Sequence, residues 1–227
     1  MLLQINVAEN AATAAASQPT EVSLSYLELA FKGGLVMVPL LLLSIIAVYI
    51  FVDRFFIIKK ASKEDFNFMN RIKEYIHEDK LESALALCQN NNTPTSRMIN
   101  KGLSRIGRPL NDINAAIENV GRLEISKLEK GLPILATIAG GAPMIGFLGT
   151  VMGMIRAFYD MSREAGNIDV QLLSAGIYTA LVTTVAGLIV GIIAYFAYNY
   201  LVARVEKVVF KLENTTTEFM DILNEPV

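Results

Sequence analysis

The sequence has little of the chemistry that enzymes and metalloproteins commonly use. Its 227 residues include one cysteine, Cys88, and one histidine, His77. A single thiol excludes a disulfide framework, and one histidine beside one cysteine excludes a Cys/His metal cluster. The net charge of -2, without a basic stripe, gives no electrostatic basis for nucleic-acid binding. With no nucleophile–base or metal-ligand set in the sequence either, we expect no enzyme activity, no metal, no cofactor and no nucleic-acid partner.

Charge is also missing from three long stretches of the chain. Residues 33–52, 131–155 and 170–203 contain no Asp, Glu, Lys or Arg over 20, 25 and 34 positions. As helices these stretches would reach about 30, 37 and 51 Å, against a hydrocarbon core of about 30 Å. The sequence therefore predicts an all-α integral membrane protein with three transmembrane helices. We place these three helices at residues 35–52, 132–155 and 172–202.

The basic residues are unevenly distributed among the segments outside these spans. Segment 53–131 holds 14 Lys and Arg residues and the tail 203–227 holds three, whereas residues 1–34 hold one and the short connection 156–171 holds two. Basic connections are retained on the cytoplasmic side. We therefore predict an N-terminus outside the cytoplasm, with segment 53–131 and the C-terminus inside.

The segments outside the spans also show helical patterns. Within residues 1–34, the stretch 21–31 places Leu24, Leu27 and Phe31 on one face, which is typical of a short interfacial helix. Segment 53–131 is predicted to be a helical bundle continuous with the spans. Its apolar residues recur at helical spacing, and Cys88 is predicted to be a packing residue among them. Pro133 either opens the second membrane helix or kinks one long helix. The tail 203–227 is predicted to be a helix with Val205, Val208, Val209 and Leu212 inward.

The three spans differ in composition. The first is almost wholly aliphatic and suits a peripheral helix that faces membrane lipid, whereas the other two are rich in Gly, Ala and Thr. Small residues let neighbouring helices approach closely. The residues that we predict to support this packing are Pro143, Gly146, Gly149 and Gly153 in the second span and Gly176, Gly187 and Gly191 in the third.

Four threonines lie near the middle of the two small-residue spans: Thr150, Thr179, Thr183 and Thr184. A threonine hydroxyl in a membrane helix commonly bonds the carbonyl four residues earlier, and that interpretation holds for any one of them. Four such hydroxyls on two adjacent helices also suit a polar pathway. No Asp, Glu, His, Lys or Arg lies inside any span. Ion pathways ordinarily need such groups, so a partner would have to supply the carboxylate.

Two blocks carry a family resemblance: GAPMIGFLGTVMGMIRAF and SAGIYTALVTTVAGLIVGIIAYFAYN. They resemble the second and third helices of the MotA/TolQ/ExbB proton-channel family, closest to its ExbB and TolQ branch. The resemblance extends to KGGLVMVPLLLLSIIAVYIFVDRF and ESALALCQNNNTPTSRMINKGL, and so covers roughly residues 25–205.

The resemblance implies a subunit of a motor in the bacterial inner membrane, driven by the proton-motive force. Such subunits form a pentamer, with the N-terminus periplasmic and the C-terminus cytoplasmic, around two single-span ExbD- or TolR-like proteins that each carry a membrane aspartate. The motor energises a TonB- or TolA-like protein that acts on the outer membrane. The family's pore threonines match Thr150 and Thr184. Thr179 stands where many relatives carry a glutamate. This departure from the family pattern argues against a relay carboxylate on the pentamer and leaves open a mechanism in which only the partner aspartate is protonated.

Other classes of function remain open from the residues alone. A non-conducting membrane scaffold for single-span partner proteins would need the same packing helices. A small-solute transporter is disfavoured, because the chain has three spans without an inverted repeat or a pair of broken helices.

Overall fold

The structure is a computed structural model that describes residues 33–63, 67–163 and 170–224. Every regular element in these ranges is an α-helix, which confirms the all-α fold class. In chain order the helices are α1 (Met37–Ala61), α2 (Phe68–His77), α3 (Leu81–Asn90), α4 (Pro94–Leu103), α5 (Leu110–Glu129), α6 (Leu132–Arg163) and α7 (Val170–Asn224). The predicted interfacial helix at 21–31 lies outside the described residues.

Three helical stretches are long and apolar enough to cross a membrane. They are α1, the α5–α6 stretch Leu110–Arg163 and the part Leu173–Asn224 of α7, with mean hydropathies of 2.4, 1.7 and 2.2 in their most apolar windows. Each contains all or most of one charge-free stretch. The three-span architecture predicted from the missing charges is therefore confirmed by length and composition.

The helices extend well beyond the predicted spans. Helix α1 continues past residue 52 to Ala61, and α6 continues to Arg163 through part of the predicted connection 156–171. Helix α7 joins the third span and the tail into 55 residues, roughly 83 Å of continuous helix. The reason is that a charge disfavours hydrocarbon but does not end a helix: Lys59 and Lys60 lie in the last turn of α1.

Helices α6 and α7 form an antiparallel hairpin, and α1 packs along it. On α1 the buried side chains are few, Leu40, Ala47, Ile50 and Ile58, and most of the others point outward. This one-sided burial leaves a wide aliphatic surface on α1, as expected of a peripheral membrane helix.

The joint between α5 and α6 is only two residues long. Lys130 is extended and Gly131 has a φ of 87°, a left-handed conformation that glycine adopts without steric cost. Pro133 then lies in the first turn of α6, where its missing N–H has no helical partner to lose. Pro133 thus opens the membrane helix, the first of the two predicted alternatives.

Beyond the spans, α2–α5 pack around the C-terminal half of α7. The centre of this bundle is fully buried and comprises Phe68, Ile72, Ile99, Ile117 and Phe219. Val205, Val208 and Leu212 of α7 are buried and Val209 is half-buried, as the tail pattern predicts. Cys88 is buried in the same cluster, and burial raises the pKa of its thiol to about 12. These contacts fix the ends of the spans on the side of the bundle relative to one another.

Candidate functional site

The centre of the candidate site is the contact between α6 and α7, where glycines bring two backbones together. A Cβ added at Gly187 would lie 2.6 Å from the Ala142 carbonyl oxygen and 2.8 Å from the Gly146 Cα. A Cβ at Gly146 would lie 2.9 Å from the Thr183 carbonyl oxygen. These neighbours are backbone atoms, so no side chain can move aside. The register of the hairpin is therefore set by Gly146 against Gly187.

The other predicted packing residues lie on the same contact. Gly153 faces Ala180, Gly176 faces Ala157, and Gly191 faces Pro143, where an added Cβ would lie 2.5 Å from the proline ring. Gly149 faces the side chain of Thr183. All of these contacts are made between helices of one chain, whereas the sequence alone could not tell a contact within the chain from one between neighbouring subunits.

Close approach at Gly146 brings two of the four threonines into contact. The hydroxyl groups of Thr150 and Thr184 lie within hydrogen-bonding distance of each other across the two helices. Both also reach the carbonyl oxygen of Gly146, Thr150 Oγ1 at 3.3 Å and Thr184 Oγ1 at 3.2 Å. Thr150 Oγ1 is also 3.4 Å from the Ala180 carbonyl oxygen. The two hydroxyls thus form a small hydrogen-bonded group that joins the second and third spans.

The remaining two threonines are placed differently. Thr183 is 1% exposed and donates to the Ala180 carbonyl oxygen at 2.7 Å, so its hydroxyl is used inside the hairpin. Thr179 lines a separate cavity of about 250 Å³ near the opposite end of the hairpin from the bundle. Arg156 and Asp160 line that cavity as well. The structure therefore brings together Thr150 and Thr184, and leaves Thr179 and Thr183 outside the pair.

Thr150 also borders the outer surface of α6. A shallow groove there is lined by Thr150 and by five apolar side chains: Phe147, Val151, Met154, Ile155 and Phe158. Phe147 and Ile155 are 66% and 64% exposed. The hydroxyl group is half-buried and is the polar element in an otherwise hydrocarbon-like lining. Thr150 therefore links the pair to this outer face of α6, and Thr184 does not line the groove.

A buried carboxylate that sequence reasoning missed lies in the bundle. Glu124 is 4% exposed and accepts hydrogen bonds from Arg97 Nη2 at 2.5 Å and from Lys127 Nζ at 2.7 Å. Burial raises the pKa of Glu124, but the hydrogen bonds and charges of Arg97 and Lys127 outweigh it and leave this pKa lowered. Arg54, just beyond the first span, donates to the Lys127 carbonyl oxygen at 3.0 Å. The network joins α1, α4 and α5. Its signal in the sequence was that Glu124 stands at a position of α5 where helical spacing predicts an inward side chain.

No group of three or more His, Cys, Asp or Glu residues that could hold a metal ion occurs in the described ranges. The polar groups at the centre of the membrane hairpin are hydroxyls and backbone carbonyls. A hydroxyl has one donor and two acceptor positions and stays neutral at physiological pH. The pair can therefore orient a protonated or ionised partner group but cannot itself store a charge.

Fold and site together define a class: an all-α, three-span membrane protein whose second and third spans meet through glycines around a threonine pair. A profile of the MotA/TolQ/ExbB proton channel family matches residues 90–214. The Tol-Pal system protein TolQ of Haemophilus influenzae is 33% identical over 217 residues, covering 88% of this chain and 94% of that protein. The chain belongs to the MotA/TolQ/ExbB proton channel family.

Two further relatives match shorter parts. The biopolymer transport protein ExbB of Aquifex aeolicus is 38% identical over 104 residues, 45% of this chain and 70% of that protein. A biopolymer transport protein ExbB homolog of Methanothermobacter thermautotrophicus is 36% identical over 120 residues, 53% of this chain. The aligned part spans 42% of the length of that relative. The predicted place of the chain, near ExbB and TolQ, is confirmed.

Proposed function

We propose that the chain is an ExbB/TolQ-like subunit of an inner-membrane motor driven by the proton-motive force. Its partners are further copies of itself, in a pentamer, and an ExbD- or TolR-like single-span protein with a membrane aspartate. The complex energises a TonB- or TolA-like protein that acts on the outer membrane. Family membership and the relatives named TolQ and ExbB support this proposal.

The observation that carries the proposal is the Thr150–Thr184 pair. Its hydroxyls lie between the two spans, and Thr150 also borders the groove on α6. The three charge-free stretches hold no group that titrates near neutral pH. A partner helix in the groove would bring its carboxyl group to the pair. There the hydroxyls would orient the carboxyl group, or the water that protonates it, without competing for the proton.

The identity and place of Thr179 agree with a mechanism in which only the partner carries the proton. It occupies the position at which many members of the family have a glutamate, and it is not part of the hydroxyl pair. A mechanism that stores protons only on the partner needs no carboxylate at this position. In the proposed motor, Thr179 therefore has a smaller role than Thr150 and Thr184.

A non-conducting scaffold is the second candidate, and one observation favours it. Each of the hydroxyls of Thr150, Thr183 and Thr184 has a backbone carbonyl acceptor inside the hairpin. The donor of each of the three hydroxyls is therefore satisfied without a partner. A scaffold would hold single-span proteins by the same surfaces but would carry no proton flux.

Proton flux into vesicles that contain the chain together with its single-span partner separates the two candidates. The motor predicts flux with the partner and none from the chain alone, whereas a scaffold predicts none in either case. In this assay, Thr150→Val with Thr184→Val removes both hydroxyls and keeps nearly the same side-chain shape. A lost hydrogen bond to an intermittently charged group is worth about 1.5–3 kcal/mol, so we expect a fall of roughly ten- to a hundredfold.

Thr183→Val and Thr179→Val are the matched controls, since neither hydroxyl belongs to the pair. Both should retain more flux than the double variant, and native mass measurements should show the same assembly for all. Unchanged flux in the double variant would remove the hydroxyl pair from the mechanism while leaving the motor assignment intact.

A further inference from the structure

A cleft of about 390 Å³ lies between α1 and α7 on the side of the spans that carries α2–α5. Four basic side chains line it, Lys59 and Lys63 of α1 and Arg204 and Lys207 of α7. Its lining contains no carboxylate, and in the described part of the chain none of the four forms an ion pair with one. Within the described residues, the cleft is therefore a concentrated positive site without an internal counter-ion.

The inner wall of the cleft is apolar. Ile58 and Leu201 are buried beneath the basic side chains, and Phe55 is half-buried beside them. The ring of Phe55 stacks on that of Tyr200 at 6.3 Å between centroids. The cleft thus combines a cationic rim with a hydrocarbon-like wall, a combination that suits an amphipathic anion better than a fully hydrated one.

The cleft lies where both helices leave the membrane. On α1, Arg54 is turned inward, because it bonds Asp53 at 2.6 Å and the Lys127 carbonyl oxygen. Phe56 and Ile57 that follow are 63% and 37% exposed, so the outward surface stays apolar until Lys59. On α7, Arg204 is the first charge after 34 uncharged residues. The first charges of the two helices that form no ion pair in the described structure therefore meet in this cleft, at the level of lipid headgroups.

Arg204 is already oriented for an anion. Its Nη2 and Nε donate to the Tyr200 hydroxyl oxygen at 2.9 and 3.2 Å, and its guanidinium lies 5.2 Å from the centre of that ring. An arginine held in this way retains further N–H donors for phosphate oxygens, and lysines add positive charge without demanding a fixed geometry.

We propose that this cleft binds the phosphate headgroup of an anionic phospholipid. The phosphate lies among Lys59, Lys63, Arg204 and Lys207, and an acyl chain runs from it along the wall formed by Phe55 and Leu201. Basic pockets between membrane helices recognise anionic headgroups by this chemistry. The apolar wall favours a lipid phosphate over free phosphate. The inference does not depend on proton conduction.

The test uses the full chain purified in neutral detergent and titrated with single lipids, with bound lipid counted by native mass spectrometry. The probes are phosphatidylglycerol, phosphatidylcholine and inorganic phosphate. Each Lys near an anionic lipid contributes severalfold in affinity, so Lys63→Gln with Lys207→Gln should weaken phosphatidylglycerol binding by about tenfold or more. Neither lysine has an internal ion pair to lose in the described structure, so thermal stability should not change.

Lys60→Gln with Lys130→Gln is the matched control. It removes the same charge near the same membrane boundary from residues that do not line the cleft. Binding should change by about twofold or less, and Lys63→Arg with Lys207→Arg should retain the wild-type affinity. Equal losses in the two Gln variants would show diffuse surface attraction and overturn the site. Equal binding of phosphatidylcholine, or displacement of the lipid by millimolar inorganic phosphate, would overturn it as well.

Discussion

Replacing Gly187 by alanine tests whether the α6–α7 contact sets the stability of the whole membrane hairpin. The added methyl group would lie 2.6 Å from the Ala142 carbonyl oxygen, 2.8 Å from the Gly146 Cα and 3.1 Å from the Gly146 nitrogen. All three are backbone atoms of α6, so relief requires the two helices to move apart by several tenths of an ångström. Overpacking of this kind costs about 1–3 kcal/mol or more.

The same change improves helix propensity by up to about 1 kcal/mol, which partly offsets the clash. We expect a net loss of about 1–2 kcal/mol and, at about 2–4 °C per kcal/mol for a chain of this size, a fall of several degrees in the Tm of the purified protein. The glycines meet within one chain, so the loss should appear in the Tm of the subunit before native mass measurements show loss of the assembly.

Gly140→Ala in α6 provides the matched control. An added Cβ there has no neighbour within 4 Å, so only the gain in helix propensity remains. Its Tm should stay the same or rise slightly. An unchanged Tm in Gly187→Ala, measured beside this control, would refute the close backbone contact and the register that it sets.

Three further outcomes are expected. Glu124→Gln should lower the free energy of unfolding by about 1–3 kcal/mol, because Arg97 and Lys127 lose a buried charged acceptor. The control is Glu118→Gln, at an exposed position, which should cost about 0–0.5 kcal/mol in the same denaturation assay. Since the pKa of Glu124 is lowered on folding, its contribution to stability is present above the ordinary carboxyl pKa and is lost as pH falls through the folded value. The stabilities of Glu124→Gln and of the wild type should therefore converge only in acid. Cys88, with its thiol pKa raised to about 12, should resist alkylation at pH 8 in the folded protein and react on unfolding; rapid labelling of the native chain would contradict its burial. Finally, vesicles holding the chain without a partner should show no proton conductance, and a robust leak would place a proton carrier on this chain itself.

The spans and the fold class could be predicted from the sequence because hydrocarbon excludes charge over about 20 residues at a time. The ends of the helices could not. Arg54 looks like the end of the first span in the sequence, but in the structure it bonds Asp53 and a carbonyl of α5, and the apolar surface continues past it. A charge that finds a partner inside the protein does not mark the edge of the membrane.

The candidate site was predictable in its residues but not in its pairing. Helical spacing places Thr183 and Thr184 on one face of the third span, and Thr150 lies near the middle of the second span. Which of them meet depends on the register of the hairpin, and that register comes from the contact of Gly146 with Gly187. The basic cleft had a signal in the spacing of Lys59 and Lys63 and of Arg204 and Lys207. The sequence does not show that the two pairs face each other.

Helix α7 is a single uninterrupted helix that joins the membrane hairpin to the bundle. One end of this helix lies beside the cavity that contains Thr179, and the other end, at Asn224, lies in the bundle with α2, α4 and α5. Over roughly 83 Å, a tilt of about 5° displaces the far end by roughly 7 Å, more than one helical turn. Helix α6 meets α5 through the two residues Lys130 and Gly131, so within the described ranges no equally long helix runs beside α7. A change in the angle of α7 within the membrane would therefore be accompanied by a larger displacement of its end in the bundle.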